Sequence, residues 1–111
     1  MKVHRFFGSG FPEIIYKRAL RIELEKINLN YTSEVEKDIY YEDRFIGKRR
    51  LDLFVNDVVL VELKAISEVD KNCYNQVINY LKVFNLEVGL LLNFGAESLQ
   101  FKRFTNTRKN P

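Results

Sequence analysis

Asp52, Glu62 and Lys64 stand inside a largely apolar stretch of the chain, RLDLFVNDVVLVELKA (Arg50–Ala65). Bare charges in such a place are costly unless they are paired or neutralised. Glu62 and Lys64, two apart in a run that reads as a strand, share one face at roughly 6–7 Å along it. A mutual ion pair is one account of them. Burying such a pair often gains nothing over an apolar pair of equal volume, so stability alone is a poor reason for it. The chemistry that does call for buried acids beside an ammonium is the handling of a hard cation. Two carboxylates side by side repel, and one protonates unless a cation lies between them. Mg²⁺, with Mn²⁺ as its substitute, takes oxygen ligands and accepts one or two carboxylates with water.

That chemistry makes a demand on the hairpin. A two-residue loop at Asn56–Asp57 would set Val55 against Val58 and send Asp52 to the face opposite Glu62. A three-residue loop, Asn56 to Val58, sets Asp52 directly across from Glu62, and a bulge does the same. The odd register is therefore expected. A further carboxylate lies upstream, where Tyr16, Leu20, Leu24 and Ile27 form an apolar helical stripe into which Glu13 falls. Glu13 either interacts with its helix dipole or points at the same charged cluster. Gln76 sits at the edge of a second stripe, Cys73, Val77, Tyr80, Leu81 and Phe84, as a core amide or as support for a neighbouring carboxylate.

The elements that must carry these residues are legible in outline. The 111 residues, 46% hydrophobic and 30% charged, suit one small domain over residues 1–104 with a polar tail at 105–111. A helix is expected from Phe11 to about Ile27, where Asn28 and Asn30 interrupt it. Strands follow at Glu34–Tyr41, Phe45–Val55 and Val58–Ala65. Ser67 and Asp70 resemble a helix start, with the helix running to about Phe84. VGLLLNF (Val88–Phe94) is apolar on both faces, the mark of a covered strand, and Leu99–Phe104 adds an edge. The fold class is thus α/β, a mixed central sheet flanked by helices.

Other chemistries fit poorly. One cysteine, Cys73, and one histidine, His4, give neither an intramolecular disulfide nor a thiolate–imidazole zinc site. Gly8-Ser9-Gly10 is not a phosphate-binding P-loop, since no Gly-Lys-Ser/Thr follows. No apolar run approaches the roughly 20 residues of a membrane span, and the N-terminus lacks a secretory apolar segment, so a cytoplasmic location is expected.

An acid on one strand and Glu-x-Lys on the next, between two helices, resembles the PD-(D/E)XK nuclease superfamily, whose core order is αβββαβ. More narrowly, Gly10-Phe11-Pro12-Glu13-Ile14-Ile15-Tyr16 is similar to the signature of the GxxExxY family. RRLDLFV, VLVELKA, QVINYL and GLLLNFGAESLQFKR also look like its blocks. The resemblance runs from about Val3 to Phe104. Members usually carry a helix before this point, of which only the tail, VHRFFG, is present. The resemblance implies that Asp52 and Glu62, helped by the backbone carbonyl of Leu63, hold Mg²⁺ or Mn²⁺. It further implies that Lys64 orients or activates the attacking water, that Glu13 is an outer ligand and that Gln76 supports the site.

A net charge of +3 is compatible with a polyanionic partner. Lys48, Arg49 and Arg50 enter the strand that carries Asp52, and Lys102, Arg103, Arg108 and Lys109 lie near the C-terminus. Such residues suit phosphate contacts to DNA or RNA. Arg50, two positions before Asp52, is expected to line the cleft. The readings are thus a metal-dependent nuclease or, alternatively, a nucleic-acid-binding module that kept the fold without turnover. Two copies could pair as a homodimer through an edge strand or the Phe6/Phe7 region.

Overall fold

The computed structural model describes residues 2–106; Arg108, Lys109 and most of the polar tail lie outside the described residues. The elements run α1 (Lys2–Phe7), α2 (Glu13–Lys26), β1 (Tyr31–Tyr41), β2 (Arg44–Val55), β3 (Val59–Lys64), α3 (Lys71–Val83), β4 (Val88–Asn93) and β5 (Gln100–Thr105). The expected order of one helix, three strands, a helix and two strands is present, preceded by the short α1.

Helix ends follow local chemistry. Pro12 precedes the first turn of α2, where its missing N–H costs nothing. Both long helices stop at an asparagine in the left-handed region, Asn28 (φ 59°) and Asn85 (φ 54°). Around each, the two N–H groups past the end return to carbonyls of the last turn. Leu29 and Asn28 donate to Leu24 and Glu25, and Leu86 and Asn85 donate to Leu81 and Lys82. The start of α3 differs from expectation. Asp70 itself is the cap, accepting from the Cys73 N–H at 3.2 Å, and Ser67 lies upstream of the helix.

The five strands form one sheet in the order β1-β2-β3-β4-β5. Three pairs are antiparallel, and β3 with β4, bridged by α3, is parallel. Tyr16, Leu20, Leu53, Val61, Leu63, Leu92 and Phe94 pack on the side of α1 and α2. Leu51, Phe54, Leu60, Val77, Leu81, Leu91 and Phe104 pack on the side of α3. Beyond the Val35–Leu51 pair, β1 and β2 continue as a largely uncovered ribbon to a tight turn at Glu42 and Asp43, both with positive φ.

At the far end of β3 the chain is pinned. Phe94 N–H donates to the Lys64 carbonyl at 2.9 Å. The side chain of Asn93, wholly buried, bonds both the N–H and the carbonyl of Ile66, as well as Gln100 and the N–H of Gly95. A Cβ on Gly95 would run into the backbone of Ala65 and Ile66. Gly95→Ala should therefore lower stability by about 1–3 kcal/mol, the usual cost of overpacking, in urea denaturation.

Candidate metal centre

The site is built where the regular ladder between β2 and β3 gives out. The connection Asn56–Val58 is the three-residue one expected: Asn56 and Asp57 both take positive φ, and Val58 N–H closes the turn on the Val55 carbonyl at 3.1 Å. Pairing then runs Val55–Val59, Phe54–Leu60 and Leu53–Val61. One step further on, side chains replace the main-chain ladder. The Asp52 N–H donates to Glu62 Oε1 at 3.3 Å, and the Leu63 N–H donates to Asp52 Oδ2 at 2.9 Å. Each acid answers a main-chain donor of the opposite strand.

A second irregularity falls at the same level. Leu51 and Leu53, two residues apart on a strand, pack in opposite clusters, and so do Val35 and Tyr31 on β1. Alternation therefore slips by one residue in both strands, at Asp52 and at its neighbour Glu34. Glu34 takes φ 56° in mid-strand, a left-handed conformation that costs a non-glycine residue about 1–2 kcal/mol.

Lys17 of α2 meets this level. Its side chain is only 8% exposed, with Nζ 3.3 Å from Asp52 Oδ1 and 3.6 Å from Glu34 Oε1. Glu13, one turn earlier, faces the same group. Its carboxyl is raised above the ordinary range by burial first, then by the Asp52 charge, while Lys17 and Lys64 oppose the shift. The first turn of α2 is fixed by Tyr16. Its hydroxyl donates to the Gly8 carbonyl at 2.6 Å and accepts from the Phe11 N–H at 3.2 Å, and its ring stacks on Phe94 at 4.8 Å.

Glu62 is the most perturbed group. It is 5% exposed, and burial, followed by repulsion from Asp52, pushes its carboxyl up to about 8. Lys64 opposes that shift from a distance, and among the described residues it makes no ion pair within 4 Å. Asp52, Glu62, Glu13 and Lys64 are thus brought together. The side-chain nitrogen of Gln76 donates to the Tyr80 hydroxyl one turn on, at 3.2 Å. Lys48 and Arg50 are largely exposed and both lean on Glu36 at 3.7 Å. Arg49 donates to the Lys48 carbonyl.

Lys17 and Glu34 escaped the sequence reading. The four-residue spacing from Glu13 to Lys17 was the available signal for the first. Nothing local announces the second.

The donor set suits a hard cation that keeps water. The described residues contain no ready cluster of three or more acid, histidine or cysteine groups for holding a metal, so a full protein cage is not on offer. Two adjoining carboxylates with a third nearby match Mg²⁺, which is commonly held by one or two carboxylates while water and phosphate oxygens fill the rest of its shell. The buried repulsion between Asp52 and Glu62 is what such an ion relieves.

A family model of the PD-(D/E)XK nuclease superfamily matches residues 1–104. No curated protein matches the chain. Among solved structures, one described as "Crystal structure of SSO0001" superposes with a TM-score of 0.66 at 19% identity, over 85% of this chain and 50% of that one. At that identity the likeness shows the fold alone: this chain has the restriction-endonuclease-like α/β arrangement. It spans half the length of that protein.

The Glu62 shift has a stability consequence. Its folded pKa is raised, so the folded state keeps a proton that the unfolded chain gives up. The stability it contributes is full below about 4.5 and is lost as pH rises through about 8. Metal-free protein should lose Tm steadily across that window, and Glu62→Gln, which keeps an acceptor for the Asp52 N–H, should flatten the slope in melting curves.

Proposed function

Since the chain belongs to the PD-(D/E)XK nuclease superfamily, we propose that it is a nuclease of the GxxExxY type, hydrolysing phosphodiester bonds of nucleic acid with Mg²⁺ or Mn²⁺. The observation that carries this reading is the meeting of Asp52 and Glu62 at the opened ladder, where two carboxyls share one buried place. Asp52, Glu62 and the Leu63 carbonyl are the groups assigned to the ion. When bound, such an ion supplies charge for the phosphoryl oxygens and a more acidic water.

The chain's own residues do the rest. Lys64, free of any close acid partner among the described residues, directs its ammonium at a non-bridging phosphate oxygen and orients the attacking water. Glu13, at the edge of the cluster with its carboxyl raised, holds a water on the outer side. Gln76, whose side-chain nitrogen donates to the Tyr80 hydroxyl, supports the site from α3. Lys48, Arg49 and Arg50 contact phosphates along the strand. The bonds of Lys48 and Arg50 to Glu36 are exposed pairs of little worth, which a phosphate readily displaces.

The test is cleavage of supercoiled plasmid, single-stranded DNA and RNA in the presence of Mn²⁺. Asp52→Ala, Glu62→Ala and Lys64→Ala should each lower the rate at least about a hundredfold, the scale of losing one preorganised electrostatic partner. Cleavage that persists in the Glu62 and Lys64 variants would overturn the assignment. Tight nucleic-acid binding with no cleavage of any of these substrates would make the chain a binding module on a nuclease-like fold.

A further inference from the structure

A lysine side chain 8% exposed, inserted from a helix between two acids of neighbouring strands, is an expensive arrangement for a small core. Two features mark it as more than a structural pair. One acid, Asp52, is the same group that bonds the Leu63 N–H and adjoins Glu62. The other, Glu34, is presented to the same ammonium by a backbone in the left-handed region, in the middle of a strand. Its side chain is 47% exposed and the pair is at 3.6 Å, against 3.3 Å for Asp52. The ammonium thus has a second, more exposed acceptor within reach.

We propose that Lys17 is a resident cation of the site: it neutralises Asp52 while the site is metal-free, and it transfers to Glu34 when a divalent ion binds Asp52. The proposal rests on the metal-dependent reading of that cluster and adds the residue that sets how tightly an ion is taken. In the metal-free protein the ammonium keeps Asp52 and Glu62 from facing one another unscreened. On loading, ammonium and divalent ion would repel at this distance, so the lysine must yield its place on Asp52. Glu34 gives it somewhere to go without leaving a buried charge unpaired. Lys17 is accordingly a positioning residue, and metal affinity is the readout that reports it.

The experiment is Mn²⁺ binding without substrate, by calorimetry and by the electron-spin resonance signal of free Mn²⁺. The proteins are the full chain and its Lys17→Gln, Lys17→Met, Glu34→Gln and Lys17→Gln/Glu34→Gln variants, each checked for folding by circular dichroism. Replacing Lys17 should tighten Mn²⁺ binding on the order of tenfold, comparable with a one-unit shift between neighbouring charges, while lowering the Tm of the metal-free protein. Glu34→Gln alone should weaken Mn²⁺ binding several-fold. In the Lys17→Gln background it should have no effect, because Glu34 acts through the lysine.

Binding by the Lys17 variants but not by the unsubstituted chain would support the proposal in its strongest form. Unchanged or weaker binding in both Lys17 variants would overturn it and leave the metal reading standing. An equal effect of Glu34→Gln in both backgrounds would also overturn it, since Glu34 would then act through space. No binding by any folded variant would overturn both this inference and the metal-dependent reading.

Discussion

The constraint on which this molecule turns is a main-chain one. At the level of Asp52 the ladder between β2 and β3 opens, and two N–H donors, of Asp52 and Leu63, are answered by side-chain carboxylates of the opposite strands. A part-buried donor left without an acceptor costs about 1–3 kcal/mol, so Asp52 and Glu62 are structural acceptors before they are anything else. Their reciprocal grip brings two acids together in a place where both cannot comfortably ionise. The repulsion between the two acids follows from how the backbone is satisfied.

Charge around that grip is assembled from three directions. β1 contributes Glu34, α2 contributes Glu13 and Lys17, and the end of β3 contributes Lys64. If all ionise, four carboxylates against two ammoniums leave two negative charges, the complement of one divalent ion. The surrounding packing holds these parts in register. Tyr16 ties the loop before α2 to its first turn and stacks on Phe94. Asn93 and the close approach at Gly95 fix the chain just past Lys64. The uncovered ribbon of β1 and β2 carries Lys48, Arg49 and Arg50 away from the core, where the exposed pairs of Lys48 and Arg50 with Glu36 leave those two exchangeable.

Much of this was legible in the residues. Alternation located the strands, and Asn28 marked the stop of α2 because asparagine tolerates the left-handed backbone a helix end requires. The register of the hairpin could be anticipated because it sets the two acids across from each other; of the two routes to it, a three-residue loop or a bulge, the chain uses the loop Asn56–Val58. The reading faltered where a local signal had two solutions. Ser67 and Asp70 both suit a helix start, and the chain uses the second. Ile27 continues the apolar stripe of α2 yet lies 65% exposed at its end, beyond the reach of the sheet.

What the sequence determined by itself was the inventory and its local order: which strands carry the acids, in which register they pair, where the two long helices stop. These depend on interactions between residues a few positions apart, which periodicity and turn chemistry record. Only the tertiary structure decided that Lys17, one residue past the core-facing Tyr16, enters the acid cluster from above. It also decided that β1 slips at Glu34 to receive the lysine, and that Glu62 is dry enough for its proton to be held to about 8. Those outcomes depend on how α2 lies across a sheet assembled from distant segments. Burial and the distance between charges are properties of that packing, and no short stretch of chain contains them.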